Sequence, residues 1–258
     1  MKQSLIKGTV LVVITAVLLY GMYVGLEKRG IYVYSDHPEA VAAVVDDREI
    51  TLGDIGMYVC YIERKVEEDA ALYNPENTRD YWNAHINQVQ ISGEAKRSAL
   101  GMAVHDSVFY EAAKSQGMEL TKEEETYVGN EIRDFWMDLL DVQKENMPVT
   151  DEQIEESIRR MALAQKYQKW LAEQNGRRYE EFDWDSYDYE MLFSAAHTQK
   201  INEAVWSRVH LGNITLVHDA VNYINGMTEE EREIKKNTVY DRNKDFLHMF
   251  LGEEPEEE

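Results

Sequence analysis

The sequence predicts a mainly α-helical protein, with an N-terminal transmembrane helix followed by an all-helical body that opens on a short β-hairpin. Three observations predict it. Only four prolines and 14 glycines interrupt 258 residues, too few for a many-turned β-sandwich. Residues 8–26 form a run of 19 uncharged residues. Beyond it, apolar residues recur at intervals of three and four between capping residues, the period of a buried helical face.

The apolar run comes first. At ~1.5 Å per residue a helix of that length reaches about 28 Å, close to the hydrocarbon thickness of a bilayer. Tyr20 and Tyr23 stand near its end, where an interfacial aromatic belt lies. No Ala-x-Ala cleavage site follows, and no cysteine is placed to accept a lipid, so the run reads as an uncleaved signal anchor. Lys2 and Lys7 balance Lys28 and Arg29 across it. The free amino terminus tips the orientation towards a cytoplasmic start, with the body on the extracytoplasmic side of a bacterial cell membrane.

Charge separates the two parts. The chain has 27 basic and 49 acidic side chains and a formal charge of −22. The first 29 residues hold four of the bases and one acid, or +3, leaving −25 on the rest. A body so acidic repels a phosphate backbone, which argues against nucleic acid as a partner. The single cysteine, Cys60, excludes an internal disulfide framework and a Cys-cluster metal site.

Residues 30–40 read as a linker. Residues 41–45 and 48–50 are short strands either side of the turn Asp46-Asp47. Thr51 then caps a helix with Leu52, Ile55, Val59, Ile62 and Val66 on its buried face. It ends at Tyr73-Asn74-Pro75. A second helix runs over 93–116, carries Leu100, Val104, Val108 and Ala112, and is closed by Gly117. A third starts at Thr121, with Glu124 completing a capping box, and buries Val128, Ile132, Phe135, Trp136, Leu139 and Leu140. The fourth starts at Thr150 with Gln153 in the matching place, carries Ile154, Ile158, Met161 and Ala162, and ends at Asn175-Gly176.

Residues 177–193 change character. Tyr179, Phe182, Trp184, Tyr187, Tyr189 and Phe193 alternate with acidic residues. Flat amphipathic rings can bind sugar or peptide, but the preferred reading is an extended segment laying its rings across the body. A further helix is expected to hold Ile201, Val205 and Val209, closed by Gly212-Asn213. Residues 214–216 read as a strand or as the entry to another helix near 218–224. The domain plan is therefore an anchor over 1–29, a linker over 30–40, a helical domain over 41–176, a segment packing on it over 177–227, and an acidic tail over 228–258.

No catalytic, cofactor or metal site emerges. None of the seven histidines pairs with another at the i, i+4 spacing of a helical zinc site. Cys60 lies beside an apolar stripe and reads as a buried, inert thiol. Carboxylate runs such as Glu67-Glu68 and Glu123-Glu124-Glu125 are what solvated helix faces of an acidic chain produce by chance. Ser107 and Ser194 lack the Gly-x-Ser-x-Gly setting of an esterase elbow.

Three stretches stand in register: Val44-Val45-Asp46-Asp47-Arg48-Glu49-Ile50-Thr51, Gly117-Met118-Glu119-Leu120-Thr121-Lys122-Glu123-Glu124, and Val149-Thr150-Asp151-Glu152-Gln153-Ile154 continuing through Met161 to Tyr167. In this order they resemble the N-terminal domain of the SurA and PrsA class of extracytoplasmic chaperones, over about half the chain. The resemblance implies an open, arm-like body whose concave apolar face holds unfolded, exported polypeptides without ATP, with Phe135, Trp136, Met137 and Met161 as client contacts. It departs from the family in three ways. Asp46-Asp47 replaces the favoured Asn-Gly, a membrane anchor stands where PrsA-like proteins carry a lipid, and only 82 residues follow Gly176. Those residues show no histidine-led strand opening a parvulin domain, so no enzyme activity is expected. The alternatives are a membrane-tethered scaffold for one folded partner and a degenerate prolyl isomerase.

Overall fold

The hairpin β1 (Val41–Val45) and β2 (Arg48–Thr51) forms where the alternation places it. The computed structural model describes residues 33–217, apart from 75 and 87. The expected anchor over 8–26, the helix near 218–224 and the acidic tail lie outside the described residues. Among those described, no helix is long and apolar enough to cross a membrane.

The described chain is mainly helical, with two small sheets. Thr51 closes the hairpin and opens α1 (Leu52–Tyr73) through a capping box with Asp54. After it come the short α2 (Arg79–Trp82) and a miniature hairpin of β3 (His85–Ile86) and β4 (Val89–Gln90). Neither was expected, because two-residue strands leave no periodicity to read.

The long helices follow as α3 (Ile91–Ser115), α4 (Lys122–Asp138) and α6 (Asp151–Asn175), with the short α5 (Asp141–Glu145) between the last two. Thr121–Glu124 and Thr150–Gln153 form the expected capping boxes. Gly117 and Gly176 take φ of 70° and 61°, the left-handed geometry that ends a helix without a Cβ clash. The third helix stops at Asp138, before Leu139 and Leu140.

The core lies where α1 meets α3 and α6, and the pairing of α3 with α6 is the most extensive contact between elements. Ile55, Val59, Phe109, Ile154 and Ile158 are buried there. The linker is partly docked: the Tyr34 ring is buried, and its hydroxyl donates to the Leu52 carbonyl at 2.6 Å.

The chain after α6 differs most from expectation. Residues 177–193 are not extended but form a 3-10 turn (Tyr179–Phe182) and α7 (Tyr187–Ala196). The helix expected around Ile201, Val205 and Val209 is mostly absent. Instead β5 (Gln199–Ile201) adds to β1, giving the strand order β2-β1-β5, and only α8 (Glu203–Trp206) is helical. Sheet pairing with β1 wins over a local four-residue periodicity. Residues 214–216 are neither strand nor helix.

Candidate functional site

A concavity of the described body is built by α3, by the aromatic segment after α6 and by β5. Its position depends on how that segment is fastened. Ser186 caps α7 by accepting from the Tyr189 backbone N–H at 3.1 Å while donating to the Glu181 carbonyl at 2.7 Å. Gln168 on α6 donates to the Tyr179 carbonyl at 3.1 Å and to the Asp183 carboxylate at 2.8 Å. Burial pushes the Asp183 carboxyl up to about 6.

From the other side, the buried His105 on α3 places its Nδ1 2.8 Å from Asp106 and its Nε2 2.9 Å from the Phe182 carbonyl. The second oxygen of Asp106 accepts the Tyr58 hydroxyl at 2.7 Å. This polar cluster joins α1 and α3 to the aromatic segment, and the Tyr189 ring lies edge-on to His105 at 4.7 Å. Both ring nitrogens of His105 are occupied by structural partners.

Trp184 then lies directly on α3 at Gly101. A Cβ at position 101 would come within 2.5 Å of the Trp184 ring, closer than carbon atoms approach, so only glycine lets the indole sit there. Between this indole and Trp206 on α8 opens a recess of about 460 Å³. Phe193 of α7 and Ile201 of β5 line it as well, and the buried Tyr189 forms part of its wall. The Tyr189 hydroxyl has no hydrogen-bond partner among the described residues.

Two cations flank the rings. Arg97 stands 5.0 Å from the Trp184 ring and Lys96 5.1 Å from the Trp206 ring, within the range of cation–π attraction. Glu94 binds the Arg97 guanidinium and raises its pKa. Partial burial lowers that of Lys96, against the pull of Glu203. Asp185 and Glu190 also line the recess. The lining thus holds two carboxylates and two cations, and Glu94 and Glu203 beside those cations make the surroundings net negative.

The four residues expected to meet a client do not line this recess. Phe135 on α4 and Met161 on α6 are core residues, 7% and 2% exposed, because α4 packs its apolar face against α6. Either could touch a client only if the helix layer opened. Trp136 is half-buried against Phe135, with ring centroids 5.8 Å apart. Met137 is 63% exposed.

The recess residues were legible only in part. Trp184, Tyr189 and Phe193 belong to the stretch whose composition pointed to binding as well as to packing, and the structure divides it: Tyr179 and Phe182 pack, while Trp184 and Phe193 line the recess. Lys96, Arg97, Gly101 and Trp206 carry no sequence signal, since an apolar helix face beside a basic pair looks the same without a recess.

Cys60 is fully buried and its thiol is pushed up by burial and by the neighbouring Glu63, so it is held as an unreactive thiol. Among the described residues, no three His, Cys, Asp or Glu side chains gather as metal ligands. No family model, no curated protein and no solved structure matches this chain.

Proposed function

We propose that the protein is a membrane-anchored, extracytoplasmic, chaperone-like protein that binds unfolded polypeptides without ATP. The observation that carries this reading is the aromatic recess, open to solvent, rimmed by carboxylates and placed on an acidic body. Burying one large apolar side chain there is worth roughly 1.5–3 kcal/mol. A single such contact gives weak, reversible capture, as a holding chaperone needs. The negative charge of the body keeps the exposed rings from driving self-association. Residues 8–26 would tether the body to the bilayer. The order of capped helices from Thr51 to Gly176, which resembles the SurA and PrsA class, supports the same reading.

The test is aggregation of a chemically unfolded client, followed by light scattering, with the full chain in lipid nanodiscs and no nucleotide. The expected result is suppression at a few-fold molar excess. Aggregation unchanged even at large excess would overturn the reading.

The burial of Phe135 and Met161 favours a second reading, a tethered scaffold for one folded partner, because the body is closed along that face. A pull-down separates the two. A scaffold recovers one stoichiometric partner that unfolded peptide does not displace, whereas a chaperone recovers many that it does.

A further inference from the structure

β5 is an outer strand of its sheet, and its register decides which of its peptide groups are free. The Asn202 N–H donates to the Ala42 carbonyl and the Asp46 N–H to the Thr198 carbonyl, each at 2.8 Å. In an antiparallel ladder bonded pairs alternate with non-bonded ones. Lys200 opposite Val44 is therefore bonded, whereas Ile201 opposite Ala43 and Gln199 opposite Val45 are not. The N–H and C=O groups of Gln199 and Ile201 turn outward, to an edge on which no described strand lies. All three residues of β5 are exposed.

The same two residues line the aromatic recess. A strand added here would meet two features at once, a row of peptide groups without a partner among the described residues and a concavity on one face. In an antiparallel addition, the residues that exchange hydrogen bonds with Gln199 and Ile201 project their side chains to the face that Gln199 and Ile201 share. That face is the recess.

We propose that the β5 edge and the recess form one polypeptide-binding site, in which an extended segment adds antiparallel to β5 and inserts alternate bulky apolar side chains between Trp184 and Trp206. The mode is strand addition: main-chain bonds hold the segment irrespective of sequence, and the recess selects every second residue. The occupant is an unfolded, extended segment with apolar residues at alternate positions and basic residues flanking them. Asp185 and Glu190 match Lys96 and Arg97 in the lining, and Glu94 beside Arg97 and Glu203 beside Lys96 make the surroundings net negative, which favours a cationic segment. This inference rests on the chaperone reading and specifies how its site would work.

The experiment uses the full chain in nanodiscs and a fluorescent heptapeptide in which phenylalanine alternates with threonine between terminal lysines. Binding is read by anisotropy. N-methylation of both phenylalanines removes the N–H groups that would bond to β5, and the expected loss is at least tenfold in affinity. N-methylation of the flanking threonines, whose N–H groups would face away, is expected to change it less than threefold. The protein-side test is Ile201→Pro, which removes an outward N–H and leaves the ladder with β1 bonded. It is expected to weaken binding at least tenfold with the thermal midpoint unchanged.

Equal binding of both N-methylated peptides overturns strand addition. So does the reverse pattern, or a second copy of the chain occupying the edge, seen as concentration-dependent dimerisation that the peptide displaces. If Ile201→Pro lowers the thermal midpoint, the peptide pair decides alone. If aggregation suppression persists while the peptide pattern fails, the binding mode is wrong and the chaperone reading stands. If suppression fails as well, both fall.

Discussion

Glu63, on the first helix, accepts the backbone N–H of Thr215 at 2.7 Å, across 152 positions of sequence. The same carboxylate takes the Thr215 hydroxyl and the Gly212 N–H at 2.5 Å each, and the Ile214 N–H at 3.1 Å. It is fully buried. Burial raises its pKa, against four hydrogen bonds that favour the ionised form. These bonds fix the chain that follows α8, and with it the Trp206 wall of the recess.

Glu63→Gln replaces an acceptor-only group with an amide whose NH₂ faces backbone donors. Leaving buried N–H groups unpaired costs about 2–4 kcal/mol in such a setting. Hydrogen exchange of the Gly212, Ile214 and Thr215 amides is expected to accelerate by at least tenfold, with a lowered thermal midpoint. Unchanged exchange at these amides would show that the carboxylate does not hold the segment.

Asp183 gives the stability a pH dependence of known sign. Its carboxyl stands at about 6 in the folded chain, against an ordinary value of 3.8, because burial disfavours the charge. The favourable contribution is therefore full below the unfolded value and is lost as pH rises through about 6. Asp183→Asn keeps an acceptor for Gln168 and removes the charge. It is expected to be the more stable protein at pH 7.5, by at most about 3 kcal/mol, and equal to the parent near pH 4. A stability difference that stays constant with pH contradicts this assignment.

The local part of this fold could be read from the chain, and the long-range part could not. Thr51, Thr121 and Thr150 announce their helices because each cap bonds to a residue three positions away. Residue 201 was expected in a helix because Ile201, Val205 and Val209 share a four-residue spacing; its strand exists only through β1, far back in the sequence. Asp46 shows the same limit. It takes φ of 52° at the hairpin turn and its carboxylate accepts the Thr198 N–H at 2.9 Å. The aspartate that departs from the favoured turn pair thus binds the entry to β5. Glu63 could not be foreseen either, since a carboxylate beside an apolar stripe looks solvated until its partners arrive.

Gly101 tests the recess from its floor. Gly101→Leu forces the Trp184 ring off α3 and is expected to cost about 1–3 kcal/mol, with client binding reduced at least tenfold. Gly129→Ala on α4 meets nothing within 4 Å and serves as the control. It is expected to stabilise by about 0.5–1 kcal/mol and to leave binding unchanged. Client binding that survives Gly101→Leu would place the site elsewhere.

The acidic body carries an ionic-strength prediction. Charges at the surface are screened over about 10 Å at 0.1 M salt. A basic unfolded client is expected to bind several-fold more weakly at 0.5 M than at 0.05 M sodium chloride, while a neutral client changes little. If basic and neutral clients respond alike, the charge serves solubility alone.

Photo-crosslinking from single positions tests the central claim most directly. A benzophenone amino acid is placed in turn at Phe193 in the recess, at Met137 on the outer face of α4 and at Glu123 at the start of that helix. An unfolded client is then added to the full chain in nanodiscs. The account predicts strong crosslinks from position 193 that excess unfolded peptide abolishes, and background levels from position 123. Crosslinks from position 137 without any from 193 would contradict it, since the client would then lie on α4 and the recess would be empty of function.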